Sequence, residues 1–129
     1  MFLGLQKLAV RIVSGNNKMG NQNPLNFYVL GARVSAVQIP GAIDCIEEFI
    51  ESGRAGHFIV VINSHLTMEG CKDPIFRDML NSADMSVPDG MPLLWLAKRH
   101  GIFLKKRVCG ADLMESFLCR TDNKYSHFF

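Results

Sequence analysis

Five apolar residues in a row, Phe58-Ile59-Val60-Val61-Ile62, run directly into Asn63-Ser64 in the stretch "GHFIVVINSHLTM". A strand with one wet face alternates apolar and polar residues, whereas a run without alternation needs cover on both faces. Helices supply that cover, so this run points to a parallel sheet between helices. The flanking segments agree. "IPGAIDCIEEFIESG" places Ile39, Ala42, Ile43, Ile46, Phe49 and Ile50 on a helical stripe, with Pro40 near its start and Gly53 past its end. Further helices are predicted over Ser64–Cys71, over "DPIFRDMLNSA" to about Asn81, over "GMPLLWLAKRHG" up to Gly101, and over "GADLMESFLCR". "NFYVLGARVSAV" reads as a strand pair or bent strand about Gly31-Ala32, "DMSVP" as a short strand, and "YSHFF" as the opening of a last, buried one. The alternation predicts an α/β fold: a Rossmann-like parallel sheet flanked by helices.

A chain of 129 residues fits one domain, and 48% hydrophobic residues with 9 Phe and 7 Met suffice for a core. The domain is expected over residues 26–129, after an apolar N-terminal segment and an Asn/Gly-rich linker, "SGNNKMGNQNP", within residues 1–25. The opening "MFLGLQKLAVRIV" is short of the ~20 residues that a membrane span needs. It also lacks the basic start and cleavage site of a signal peptide. It is expected to be a loosely docked terminal helix, the alternative being an amphipathic membrane-surface helix with Lys7 and Arg11 on its polar side. Phe128-Phe129 closes the sequence inside the last strand with no cap or turn, which predicts a fragment of a longer α/β protein. An incomplete sheet edge near Tyr125–Phe129 would invite pairing or aggregation.

A net charge of +2 gives no case for a nucleic-acid partner. Cys45, Cys71, Cys109 and Cys119 contain no CxxC pair, as expected of reduced thiols in a cytosolic protein. His57, His65, His100 and His127 stand at no zinc-like spacing to them, so no metal site is expected.

Ligands of parallel α/β sheets gather where strands end and helices begin. Two such junctions carry polar residues, Asn63-Ser64-His65 and the Asp89-Gly90 of "SVPDG". Asp89 follows a proline that fixes its approach and precedes a glycine that lets backbone or ligand come close. At a helix N-terminus it can cap the helix, the commoner use of Asp there, or stay ionised as a general base. Asn63 can equally cap a helix or bind sugar hydroxyls, while His65 reads as an ordinary surface residue. "KRHGIFLKKRVCG" holds Lys98, Arg99, Lys105, Lys106 and Arg107, five of the fourteen Lys and Arg. Such a cluster suits phosphates or an anionic membrane face, or is simply a solvated helix end. Arg107 differs from its neighbours because Val108-Cys109-Gly110 leads straight into a helix N-terminus, a reasonable anchor for a diphosphate. No GxGxxG, P-loop, GxSxG or zinc signature occurs.

Taken together, "VLGARVSAV", "GHFIVVINSHLTM", "DPIFRDMLNSADMSVPDGMPLLWLAKRHG" and "KKRVCGADLM" resemble, in order, the bacterial WecG/TagA/CpsF glycosyltransferase family over about Asn26–Phe129. The resemblance implies an inverting transfer of an N-acetylmannosamine-like hexosyl group from a UDP-sugar to a lipid-diphosphate-linked sugar. Such enzymes serve cell-surface polysaccharide synthesis, peripherally at the cytoplasmic face of the bacterial inner membrane, and need no cofactor. By motif position it makes Asp89 the base, sets Asn63 in the pocket and Arg107 near phosphate, with Gly90 and Gly110 beside them lining the substrate site. Two departures stand out. The family often has threonine two residues before the asparagine, where this chain has Val61, so sugar preference or activity is expected to differ. The family also continues well beyond Phe129, with much of the nucleotide pocket and a C-terminal membrane-contacting appendage, so this chain is expected to lack a complete donor site. The alternatives are a truncated, non-catalytic remnant that binds phosphate or lipid, and an unrelated Rossmann-like nucleotide-binding domain, disfavoured by the absent glycine fingerprint.

Overall fold

The computed structural model describes residues 10–13 and 24–129. Strand β1 (Val10–Val13) pairs antiparallel with β2 (Asn26–Val29), which pairs antiparallel with β3 (Ala32–Ser35). Helix α1 (Ile39–Glu51) leads to β4 (Ile59–Ile62), α2 (Ser64–Lys72), α3 (Pro74–Asn81), β5 (Met85–Pro88), α4 (Met91–Arg99) and α5 (Gly110–Arg120). Strands β4 and β5 are parallel, in the register Ile59↔Met85 to Ile62↔Pro88. The fold is thus mixed α/β with two small sheets, one antiparallel and one parallel.

The parallel pair is covered on both faces. Ile62, with Val60 beside it, joins Leu93, Ala97 and Ile102 of the α4 region and Phe27, Val29, Ala32 and Val34 of the hairpin. On the opposite face Met85 and Val87, with Ile59 and Val61, meet Ala42, Ile43 and Cys45 of α1, Val108, and Leu113 of α5. This is the two-sided cover that an unbroken apolar run calls for. The strand buried along its whole length, however, is β5; Ile59, Val60 and Val61 of β4 are only half-buried. Among the described residues β4 has a ladder partner on one side only, so its free edge is less covered.

The hairpin turns at Leu30 (φ +52°) and Gly31 (φ +84°), the positive pair that a two-residue turn between twisted strands requires. The unfavourable φ of Leu30 is offset by packing of its side chain on the first core cluster. Asn81 at the end of α3 grips this turn: its Oδ1 accepts from Arg33 N at 2.7 Å and its Nδ2 donates to Gly31 O at 2.9 Å. Strand β3 lies beside β5 through Ser35, whose Oγ accepts from Ser86 N at 3.1 Å.

Three expectations change. Val10–Val13 is a strand on the edge of the hairpin rather than part of a terminal helix, because β2 offers it an unpaired edge; the rest of that expected helix and residues 14–23 of the linker lie outside the described residues. Tyr125–Phe129 is not a strand. Lys124 and Tyr125 bond to Glu47 and Glu51 of α1, which holds this stretch against a helix, and Phe128 and Phe129 are exposed. Among the described residues the parallel sheet itself amounts to two strands, since the β2–β3 segment folds back as an antiparallel hairpin. The four cysteines form no disulfide.

Candidate functional site

The carboxyl end of the parallel pair brings Asn63, Asp89 and Arg107 together. Asp89 N donates to Ile62 O at 2.8 Å, extending the parallel ladder one step past β5, so Asp89 lies beside Asn63 on the next rung. The carbonyl of Pro88 belongs to the same peptide unit as that N–H and points the opposite way. It accepts from Val108 N at 2.7 Å. Asn63 and Arg107 therefore approach Asp89 from opposite sides.

Gly90 decides what Asp89 can do. It occupies the N-cap of α4 with φ +124°, a conformation that side-chain-bearing residues rarely adopt. Space is not the reason for glycine, since an added Cβ would meet nothing closer than Pro92 Cδ at 3.8 Å. With the cap position taken by Gly90, the Asp89 carboxylate accepts no backbone N–H; its one charged neighbour among the described residues is Arg107, Nη1 to Oδ1 at 3.7 Å. That separation exceeds a hydrogen bond, and the Asp89 side chain is 25% exposed while that of Arg107 is 59% exposed. The carboxylate is oriented and reachable, and its proton-accepting oxygens are not consumed by the fold.

Asn63 does cap. Its Oδ1 accepts from Leu66 N at 2.9 Å at the start of α2, and Thr67 N bonds to Asn63 O at 3.0 Å. The Nδ2 group has no protein partner among the described residues, so one amide supports a helix with its oxygen and offers its N–H groups to the site. His65, two residues on, is exposed.

Arg107 is placed by a contact that the sequence does not announce. The side-chain amide of Gln38, at the N-cap of α1, donates through Nε2 to Lys106 O at 2.7 Å and accepts through Oε1 from Lys106 N at 2.9 Å. This two-point pairing copies a β-bridge and fixes the backbone one residue before Arg107. Residues Gln38 and Lys106 stand 68 apart in the chain, and no local pattern marks Gln38. Gly110, expected beside the ligand, has a packing reason to be glycine: an added Cβ would stand 3.2 Å from Val61 Cγ2. Val61 thus faces the first turn of α5, on the same face of β4 as Asn63. No side chain caps α5, so its first N–H groups are open beside Arg107, although Asp112 already places negative charge in that turn.

A second polar cluster, missed in the sequence, lies at the amino end of the same pair. His57 Nδ1 stands 2.9 Å from Asp84 Oδ1, and Asp84 Oδ2 accepts from Phe58 N at 3.0 Å. An ionised carboxylate only accepts, so Nδ1 carries the proton. The His57 ring stacks on Phe49, with centroids 4.7 Å apart. The hydrogen bond from His57 is the main reason that the Asp84 carboxyl is held below its ordinary range, helped by the Phe58 N–H and by the charge of Arg54 and opposed by partial burial. The signal available was positional: each residue directly precedes a strand region. The cleft here, about 560 Å³ and reached by Arg33 and Arg54, is remote in the fold from Asp89. Among the described residues no three His, Cys, Asp or Glu side chains gather to hold a metal ion, and no helix is long and apolar enough to cross a membrane.

The model of the Glycosyl transferase WecG/TagA/CpsF family matches residues 27–129. An N-acetylglucosaminyldiphosphoundecaprenol N-acetyl-beta-D-mannosaminyltransferase of Bacillus spizizenii (strain ATCC 23059 / NRRL B-14472 / W23) is 35% identical over 74 residues, 57% of this chain and 29% of that protein. A protein of the same name from Bacillus subtilis (strain 168) is 24% identical over 87 residues, 67% of this chain and 34% of its own length. The chain spans about a third of the length of these relatives.

Proposed function

This chain belongs to the WecG/TagA/CpsF glycosyltransferase family, and we propose from that premise that it carries the acceptor-activating side of an inverting glycosyl-transfer site. The donor is a UDP-sugar, N-acetylmannosamine-like. The acceptor is a sugar on a polyprenyl diphosphate, by analogy with the reaction named for the two Bacillus relatives. The protein works peripherally at the cytoplasmic face of the membrane that holds this acceptor. The parallel pair is the nucleus of a Rossmann-like sheet, with its ligands at the carboxyl ends of the strands.

The observation that carries the reading is that the Asp89 carboxylate is not the helix cap, and stands free between Asn63 and Arg107. Asp89 takes the proton from the acceptor hydroxyl as its oxygen attacks the anomeric carbon. The bond from that carbon to the diphosphate breaks on the opposite face, and the electron pair leaves with UDP. Arg107 lies too far from Asp89 to lock it by hydrogen bonding and is free to turn toward the departing diphosphate, aided by the open N–H groups of α5. The Asn63 Nδ2 group supplies a donor that orients a sugar hydroxyl or amide.

The test is UDP release from UDP-N-acetylmannosamine with a lipid-diphosphate N-acetylglucosamine acceptor. The 129-residue chain is assayed beside a version extended with the remaining segment of a relative. In the active form Asp89→Asn lowers the rate by roughly 10²- to 10⁴-fold, with the melting temperature unchanged. A mutant that keeps most of its rate removes Asp89 from the role of base.

A further inference from the structure

Between Asp89 and Asp112 the chain has five Lys or Arg and no acidic residue. In the fold this stretch is α4 and the segment that returns from it to the end of β5. Lys98, Arg99, Lys105, Lys106 and Arg107 are all exposed, and none but Arg107 has a carboxylate within 4.0 Å among the described residues. Elsewhere the exposed Arg54, Lys72, Arg120 and Lys124 pair with acidic groups, while Arg33 and Arg77, which have no acidic partner among the described residues, are half-buried. The same stretch exposes large apolar side chains. Met91 and Trp95, four residues apart on one helix face, are 47% and 63% exposed, and Phe103 is 77% exposed. Phe103 is turned outward because Ile102 and Leu104 on either side of it pack on the core with Leu93 and Ala97.

A solvated loop has no use for an outward Trp and Phe, and a protein interface is usually depleted in lysine. Aromatic residues among unpaired basic groups fit a water–lipid boundary, where the rings lie at the headgroup level and the cations meet anionic lipid. We propose that this surface, centred on Trp95 and Phe103 and flanked by Lys98, Arg99, Lys105 and Lys106, docks the protein on an anionic lipid bilayer. The geometry also sets the orientation. Lys105 and Lys106 run directly into Arg107 at the Asp89 site, and α4 begins at Gly90, so the docked face is continuous with the opening to the base. A sugar on a lipid diphosphate would then reach Asp89 from the bilayer without leaving it; this last step rests on the proposed acceptor, whereas the docking surface does not.

Trp95 is the sole tryptophan, so its emission reports on this surface alone. Vesicles of phosphatidylglycerol should shift Trp95 emission to the blue, and acyl chains brominated near the headgroup should quench it. Phosphatidylcholine vesicles should do neither, and about 0.5 M salt should reverse the effect. Replacing two basic groups, Lys105→Gln with Lys106→Gln, should weaken binding roughly 25-fold, at about fivefold for each lost charge. Binding without a change in Trp95 emission would place the lipid on another part of the chain and overturn the proposal. An equal response to both lipids, or an unchanged affinity of the double variant, would overturn it too. Transfer to a water-soluble acceptor without vesicle binding would sink this surface and leave the proposed chemistry standing, and docking without transfer would do the reverse.

Discussion

Asn63 is asked to do two things with one amide, and substitutions can separate them. Its Oδ1 accepts one N-terminal N–H of α2, that of Leu66, at 2.9 Å, while the backbone bond from Thr67 N to Asn63 O does not depend on the side chain. Asn63→Ala removes the first bond only, and loss of a helix N-cap costs about 1 kcal/mol. For a domain of this size that corresponds to a melting temperature lower by about 4 °C. Asn63→Ser keeps an oxygen that can accept from the same N–H, so the loss should shrink to a few tenths of a kcal/mol. Both variants lack the Nδ2 donor, which has no protein partner among the described residues. If that donor orients a sugar, UDP release should fall in both by a similar factor, roughly 3- to 10-fold for one net hydrogen bond. Stability is read by thermal unfolding followed by circular dichroism, and activity by UDP release in the extended protein. An Asn63→Ala protein that melts with the wild type would refute the cap. A serine variant with full stability and full activity would refute the second role.

Arg107→Ala should weaken binding of UDP, measured by calorimetry on the extended protein. It should leave stability within about 1 kcal/mol, because its pairing with Asp89 is exposed and long; lost stability with unchanged UDP affinity would make the residue structural. The Asp84 carboxyl is held below its ordinary range, first by the bond from His57. A carboxyl whose folded value lies below its unfolded value adds stability that is complete above the unfolded value, about 3.9, and is lost as the pH falls through the folded one. Wild type should therefore lose stability in acid below about pH 4, and Asp84→Asn should be less stable at neutral pH with a flatter acid limb in urea titrations. An unchanged acid limb in the variant would remove Asp84 as its source.

Much of the architecture was legible because its signals are local. The run Phe58–Ile62 marked a covered strand, Pro74 and Asp73 marked the start of α3, and the turn at Leu30–Gly31 fell between two β-type runs. Asp73 does cap, accepting from Ile75 N and Phe76 N. Asp89, with a similar local sequence of proline and helix, does not. The difference is the order of residues: Pro74 follows Asp73 and opens the helix, whereas Gly90 follows Asp89 and takes the cap itself. Spacing alone left cap and base open at Asp89.

Sequence by itself determined which segments become helix or strand between Asn26 and Arg120, that a covered parallel pair exists, and which polar residues stand at its carboxyl end. Those properties follow from side-chain periodicity and from backbone preferences within a few residues. Tertiary structure decided the partners. It set Arg107 across from Asn63 through the Gln38–Lys106 pairing, pressed Gly110 onto Val61, joined His57 to Asp84, and gave Val10–Val13 to the edge of β2. It also held Tyr125 on α1 instead of in a sheet. A ladder or a side-chain bridge needs a second strand or loop to arrive from a distant part of the chain, and its free energy is realised only once both surfaces are assembled, so no window of sequence contains it.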